Sequence, residues 1–290
     1  MCGRYAQARN QHELQLAFDF PAAGRAGEPA ADARSWPPLE ELAADYNVSP
    51  GKPVYAVLGP PPGGADAGRR AAGPQYLRTL RWGLVPSWAK DPNVGYRMIN
   101  ARGETVAEKP AFRAAFARRR CLLPADAYYE WQLLPDRAPG TTEPGTSPAT
   151  DAGHKARKAR ARKRPYAVRY ADGRPLALAG LFERWRDPER PDDDPGAWLW
   201  SCAVITTEAA PELSHIHERM PVVLPRDTWD DWLDPAADPG RLRLLMESTP
   251  VADFEVYEVG TEVNSIRNNG PRLLDPVPAD IEPAEPETLF

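Results

Sequence analysis

The second residue of the chain is a cysteine, Cys2, in the opening sequence MCGRY. Removal of Met1, which a small following residue generally permits, leaves Cys2 with a free α-amine beside its thiol. Reference pKa values are about 7.7 to 8.0 for the amine and about 8.5 for the thiol, which positive surroundings would lower. Such a 1,2-aminothiol condenses with an aldehyde, because the amine forms an imine and the sulfur then closes a thiazolidine ring. Taken alone, the dipeptide favours the simpler interpretation, a small residue near a frayed terminus.

Four further segments combine tight turns with polar side chains that a strand or helix does not require. They are YNVSP (46–50), WGLVPSW (82–88) leading to MINARGE (98–104), LPADAYYEW (123–131), and ITTEA (205–209) through HIHERMP (215–221).

These segments, in this order after MCGR, resemble the SOS-response-associated peptidase family over nearly the whole chain. Asn-Ala-Arg, Tyr-Glu-Trp and His-Glu-Arg-Met-Pro are each short, but their joint order and spacing are hard to obtain by chance. The resemblance implies that Cys2 forms a thiazolidine with the abasic deoxyribose of single-stranded DNA. It implies that Asn100 contacts the opened sugar, Arg102 holds a flanking phosphate, Glu130 lies beside the Cys2 amine, and His217 completes the catalytic set.

The resemblance also implies a DNA-binding groove around these residues. Arg4 and Arg219 join the phosphate contacts, since a guanidinium binds phosphate through bidentate, charge-assisted hydrogen bonds. Asn47, from the first segment, is placed with them. Trp82 and Trp88 offer stacking faces for unpaired bases of any sequence. The implied activity is DNA–protein cross-linking in DNA repair, with strand scission (lyase) and peptidase activities as further options.

The chemistry of imine formation agrees with that assignment, since Glu130 and His217 can share the proton transfers that it needs. Each residue also has a purely structural interpretation. Glu130 fits a strand position that faces water, and His217 fits a capping or core histidine. Asn100 fits a turn position, and Trp82 and Trp88 fit the core.

Other reactive residues point to no cofactor and no metal. Cys121 and Cys202 lie in apolar strands and are predicted to be buried small hydrophobes. The cysteines and histidines lack zinc-site spacing, and no glycine-rich phosphate loop joins a strand to a helix. The basic run at 155–164 is predicted to be a solvated loop.

The charge and hydropathy of the chain indicate which binding partners and which cellular compartment to expect. The formal net charge of -5 argues mildly against nucleic acid, but acidic residues crowd into 192–194 and into the tail after 275. The sequence has no apolar run long enough to span a membrane and no secretory signal at its start. We therefore expect a cytoplasmic protein, nucleoid-associated when bound to DNA, that acts as a monomer. Its expected partner is single-stranded DNA with abasic sites, and junctions of single- and double-stranded DNA are a further option.

The secondary-structure pattern predicts one α+β domain with a mixed or antiparallel, barrel-like β core and peripheral helices. Asn10 and Glu13 form a capping box that begins a helix, and further helices are predicted from 110, at 226–233 and at 241–247. We expect the domain to span 1–274, with disordered insertions at 59–75 and 133–164, and a Pro/Glu-rich tail at 275–290.

Two other functions remain open at this point. A cysteine peptidase would use the N-terminal amine as the base for the Cys2 thiol, with His217 and Glu130 in support. A non-covalent reader of modified cytosine would bind DNA normally after Cys2→Ala.

Overall fold

A computed structural model describes residues 2–20, 36–59, 75–134, 162–191 and 193–278. The strands within these ranges are β1 (Tyr5–Gln7), β2 (Asp45–Val48), β3 (Pro53–Leu58), β4 (Tyr76–Trp82), β5 (Asn100–Arg102), β6 (Arg120–Ala125), β7 (Ala127–Leu133), β8 (Lys163–Tyr170), β9 (Leu176–Arg186), β10 (Trp198–Glu208), β11 (Arg219–Pro221) and β12 (Phe254–Glu258). The α-helices are α1 (Gln11–Phe18), α2 (Arg113–Arg118), α3 (Pro211–Ser214), α4 (Trp229–Leu233) and α5 (Pro239–Met246).

Five strands close into a barrel in the order β10, β4, β3, β6, β9 and back to β10. The pair β10–β4 is parallel and the others are antiparallel. Closure leaves no free edge in the ring, and all six residues of β6 are buried. Strands β5 and β11 also pair with β10. The predicted single α+β domain with a mixed, barrel-like core is confirmed.

A second sheet, in the order β12, β8, β7, β1, β2, holds the start of the chain. Its strand β1 lies between β7 and β2, where Tyr5 is opposite both Tyr128 and Val48. The buried Gln7 amide links this sheet to the barrel, since it donates to the carbonyls of Tyr55 (3.2 Å) and Pro124 (2.8 Å). The N-terminal residues are therefore held as part of the fold.

The predicted helices are present, with shifts at their starts. Asn10 and Glu13 form the expected capping box of α1. The helix predicted from 110 begins at Arg113, after a series of turns. The segment 226–233 is a 3-10 turn followed by α4. Helix α5 begins two residues before the predicted position, because Asp238 caps it and Pro239 suits the first helical turn.

The predicted insertions fall largely outside the described residues, which omit 60–74 and 135–161. The outer limits of the second insertion were wrong: β7 extends to Leu133 and β8 begins at Lys163, because these residues pair with each other. In the tail, Val277 N donates to Glu258 O at 2.8 Å, and residues 279–290 lie outside the described ranges. Strands β1, β2 and β5 were not predicted, since three or four residues are too few to show a period.

Candidate active site

Strand pairing places Cys2 beside the strand that carries Glu130. Tyr129 N donates to Arg4 O at 3.0 Å, and continuing the β1–β7 register by one residue puts Gly3 opposite Glu130. The Cys2 side chain is completely buried at the end of this ladder.

Asn100 fixes Cys2 from the barrel side. Its Nδ2 donates to the Cys2 carbonyl at 2.8 Å, across 98 residues of sequence. Parallel pairing of β5 with β10, with Asn100 opposite Val204, holds the amide in this position. The Asn100 Oδ1 is buried and has no hydrogen-bond partner among the described residues. The site thus presents an unused acceptor next to Cys2.

Glu130 is a buried carboxyl, with 4% of its surface exposed. Burial raises the pKa of Glu130 to about 7, and the positive charges of the N-terminal amine and Lys163 act in the opposite direction. A carboxyl that titrates near neutral pH can both accept and return a proton, which an ordinary surface carboxylate does poorly.

The Cys2 thiol lies in an apolar interior next to a carboxyl. Burial, and then the negative charge of Glu130, raise the pKa of the Cys2 thiol. Positive surroundings, which would lower this pKa, do not determine it here. The sulfur is therefore protonated at neutral pH and needs a base before it can act as a nucleophile.

His217 is a half-buried ring with a defined tautomer. Its Nδ1 accepts a hydrogen bond from Arg219 N at 3.0 Å, so the neutral ring carries its proton on Nε2. Burial and the charge of the N-terminal amine lower the pKa of His217. The segment that carries it is tied to β7, because Gln132 Nε2 donates to His215 O at 3.0 Å.

Two residues near the site were missed by the sequence analysis. Tyr128 lies two residues before Glu130 and therefore on the same face of β7. It is buried, and the pKa of Tyr128 is raised by burial and then by the charges of Cys2 and Glu130. Lys163, at the end of the basic run, begins β8 and acts on the pKa of both Glu130 and His217. Tyr128 could have been predicted from the sequence, because side chains two residues apart on a strand point to the same face and Tyr128 therefore lies on the face of Glu130.

Arg4 and Asn47 form a buried connection beneath the site. Arg4 Nη1 donates to Asn47 Oδ1 at 2.7 Å and to Val263 O at 2.9 Å. Asn47 is completely buried, and its Nδ2 donates to Ser265 O (2.9 Å) and Asn268 O (3.0 Å). The Arg4 guanidinium lies over the ring of Trp131 at 5.7 Å. Asn47 is occupied by these contacts and, in this structure, presents no surface for the DNA contact that the sequence indicated.

The two tryptophans of the WGLVPSW segment have opposite environments. Trp82 is completely buried, and its Nε1 donates to Ile99 O at 3.0 Å, so it offers no stacking face in this structure. Trp88 is 63% exposed. The loop that carries Trp88 is held by backbone contact, since a Cβ on Gly83 (φ +118°) would lie 2.7 Å from Gly95 O.

The remaining predicted phosphate contacts lie around β5 and β11. Arg102 is exposed at the end of β5. Arg219 is engaged by Glu104, with Nη1–Oε1 at 2.6 Å and Nη2–Oε2 at 2.9 Å. Glu104 was not predicted as a site residue, and its only signal in the sequence is its place two residues after Arg102.

Cys121 and Cys202 are buried and free, as predicted. Within the described ranges, no group of three or more His, Cys, Asp or Glu side chains is arranged to hold a metal ion. No helix in the described part of the chain combines the length and apolar character needed to cross a membrane.

Comparison with known proteins identifies the family. The model of the SOS response associated peptidase (SRAP) family matches residues 1–266. The chain is 35% identical over 239 residues to the abasic site processing protein YoqW of Bacillus subtilis, covering 82% of this chain and 88% of that protein. It is 30% identical over 285 residues to the abasic site processing protein HMCES of Gallus gallus, covering 96% and 78%.

The fold has a solved counterpart in a protein from Bacteroides thetaiotaomicron. The TM-score is 0.63 at 20% identity, with 95% of this chain and 100% of the other covered. Because the family model spans almost all of the described residues and its motifs meet around Cys2, the chain belongs to the SOS response associated peptidase family.

Proposed function

We propose that this protein acts in DNA repair by capturing abasic sites of single-stranded DNA as a covalent thiazolidine on Cys2. The names of its relatives, abasic site processing proteins, support the target. An abasic deoxyribose opens to an aldehyde, which is the electrophile that an N-terminal 1,2-aminothiol captures. Removal of Met1 is part of the proposal, because it exposes the amine.

One observation carries the proposal: Glu130 is a buried carboxyl whose pKa is raised to about 7, and it lies next to Cys2. Burying a carboxyl costs stability, so a buried carboxyl with a raised pKa is a candidate functional group. Thiazolidine formation would use such a carboxyl, because it requires a group that accepts a proton and later returns one.

The first step forms the imine. The amine nitrogen attacks the aldehyde carbon, and the proton that the amine loses passes through Glu130 to the carbonyl oxygen, to which His217 Nε2 donates a hydrogen bond. A second proton, taken from solvent and delivered by Glu130, lets that oxygen leave as water. The product is a protonated imine, whose charge the Glu130 carboxylate stabilises. The buried Oδ1 of Asn100 is available to accept a hydrogen bond from a hydroxyl of the opened sugar.

The second step closes the ring. The Cys2 thiol gives its proton to a base, and its sulfur bonds to the imine carbon while the nitrogen becomes a neutral secondary amine. The sum is aldehyde plus aminothiol to thiazolidine plus one water. Because the pKa of the thiol is raised, the amine reacts first in this scheme. The same imine can instead lead to strand scission or reversal.

Exposed aromatic and basic groups support a single strand as the substrate. Trp88 (63% exposed) and Tyr96 (54% exposed) project from the segment between β4 and β5, and the Arg81 guanidinium lies 5.0 Å from the Tyr96 ring. Bases of a single strand stack on such rings without sequence preference, and arginines neutralise the phosphates. Arg102 extends the basic surface.

The test mixes purified protein with a single-stranded oligonucleotide that contains one abasic site and follows shifted bands on a denaturing gel. Wild type is expected to give a heat-stable adduct. Cys2→Ser keeps the amine and is expected to give an adduct only after borohydride reduction. A lysine inserted between Met1 and Cys2 keeps the thiol but not the aminothiol, and is expected to give no adduct.

Cys121→Ala is the matched control, since it removes a buried thiol outside the site and should capture normally. Stable adducts from the lysine-insertion variant would contradict thiazolidine formation. Absence of any adduct from wild type, with Met1 removal verified by mass spectrometry, would reject the proposed function.

A further inference from the structure

The Arg219 guanidinium fork is filled by a carboxylate. Glu104 binds it in bidentate fashion, at 2.6 and 2.9 Å. Hydrogen bonding from Arg219 is the main cause that lowers the pKa of Glu104, so the pair is ionic at neutral pH. A carboxylate and a phosphate present the same two-oxygen edge to an arginine. Glu104 therefore occupies the position that a DNA phosphate would take on Arg219.

The two partners of this ion pair are anchored to different degrees. The Arg219 side chain is 13% exposed, whereas the Glu104 side chain is 48% exposed. Arg219 Nη2 also donates to Thr206 O at 2.8 Å. The same carbonyl accepts from Gly103 N at 2.8 Å. Arg219 thus stays in place when Glu104 leaves, and Glu104 can turn into solvent from its surface turn.

We propose that Glu104 is a displaceable occupant of the phosphate site on Arg219, and that single-stranded DNA binds by exchanging a backbone phosphate for this carboxylate. This inference rests on the proposed function, because it assumes that the strand passes over β5 and β11. In the free protein Glu104 keeps the charge of the partly buried Arg219 guanidinium neutralised. An anion that binds Arg219 more weakly than Glu104 does therefore leaves the ion pair intact.

The exchange has a measurable consequence for affinity. DNA must displace one exposed ion pair in the wild type, and it need not do so once Glu104 is neutral. An ion pair of this exposure is worth little, so Glu104→Gln is expected to tighten binding by about 2- to 5-fold. The same substitution removes a favourable contact in the free protein and should slightly lower its melting temperature. A merely structural role for Glu104 would instead weaken both binding and stability.

The experiment measures binding of intact fluorescent oligothymidylate by anisotropy, using the full chain at fixed salt. It compares wild type, Glu104→Gln, Arg219→Ala and the double variant. Glu255→Gln is the matched control, because it removes the same charge from another exposed arginine pair, Arg169–Glu255 at 2.8 Å. The expected result is tighter binding by Glu104→Gln alone, weaker binding by Arg219→Ala, and no gain from Glu104→Gln in the Arg219→Ala background.

Three results would overturn the inference: unchanged or weaker binding by Glu104→Gln, an equal gain from Glu255→Gln, or a gain that persists without Arg219. Capture of abasic DNA, run in parallel, separates this inference from the proposed function. Loss of capture with normal oligothymidylate binding counts against the proposed function alone, whereas normal capture with unchanged Glu104→Gln affinity counts against the exchange alone.

Discussion

At the residue scale, the chemistry of the site depends on how deeply Glu130 and Cys2 are buried. Burial raises the pKa of both groups, so the carboxyl becomes a base active near neutral pH and the thiol stays protonated until a base removes its proton. His217 remains neutral, with its proton on Nε2. In the proposed mechanism, these protonation states favour attack by the amine before the thiol.

Glu130→Gln should stabilise the protein at neutral and alkaline pH. The folded-state pKa of about 7 lies above the unfolded value, so wild-type stability is fully present below about pH 4.3 and is lost as pH rises through 7. The loss is on the order of 3 kcal/mol by pH 8. Denaturant unfolding of both proteins at pH 5 and pH 8 measures it, and the advantage of Glu130→Gln should be larger at pH 8.

The same variant should capture abasic DNA slowly at every pH, whereas the wild-type rate should rise as pH increases through about 7. Glu255→Gln, which changes an exposed carboxylate, should leave both the stability profile and the capture rate as in wild type. A Glu130→Gln protein whose stability falls with pH in parallel with wild type would contradict a buried carboxyl with a raised pKa.

At the scale of elements, short strands and one loop hold the site together. Cys2 and Arg4 lie in the segment directly before β1, and β2 carries Asn47. The loop 261–270 crosses over them, where Asn47 and Arg4 bind its carbonyls. Trp131 Nε1 donates to Asn264 Oδ1 at 2.6 Å in the same loop. The loop 261–270, near the end of the described chain, therefore supports the N-terminal residues that lead into β1.

Asn47→Ala should destabilise the protein and slow capture together. It removes buried hydrogen bonds to Arg4, Ser265 and Asn268 and leaves their groups unpaired, at a cost of about 2 to 4 kcal/mol. Chemical unfolding and the capture rate of the remaining folded protein provide the measurement. Asn10→Ala is the control, because loss of the α1 cap costs about 1 kcal/mol without reaching Cys2. Equal capture rates for Asn47→Ala and Asn10→Ala would contradict a role of Asn47 in positioning the site.

At the scale of the whole molecule, β10 joins the barrel to the site. It pairs with β9 and β4 within the barrel and with β5 and β11 beside Asn100 and Arg219. Strand β10 thus connects the barrel wall to the strands that bear Asn100 and Arg219. Packing in the wall is tight at Gly180, where an added Cβ would lie 2.8 Å from Cys121 Sγ and 3.2 Å from Leu123.

Gly180→Ala should destabilise the barrel by about 1 to 3 kcal/mol through overpacking. Cys121→Ala removes the obstructing sulfur, so the double variant should lose less stability than the sum of the two single variants. Urea denaturation of the four proteins gives the coupling free energy directly. Strict additivity would show that Gly180 and Cys121 do not clash, and would refute the packing explanation.

Local features were predictable because they depend on neighbours in sequence. The capping box of α1 needs only Asn10 and Glu13, and it formed as predicted. Alternating or β-branched runs indicated most strands and hence the α+β class. The motif order was also sufficient to name the family and to select Cys2, Asn100, Glu130 and His217 as candidates, since reactive residue types can be recognised without their partners.

Only the tertiary structure decided what surrounds those residues. The burial of Asn47 and Trp82, the hydrogen bond from Asn100 to Cys2, and the pairing of Glu104 with Arg219 join segments up to about 220 residues apart. The shifts in the pKa of Glu130 and of the Cys2 thiol follow from the same assembly. Residue type thus sets which chemistry is available, whereas solvent exclusion and charge neighbours, which arise only when distant strands pair, set whether each group is a base, a support or a contact.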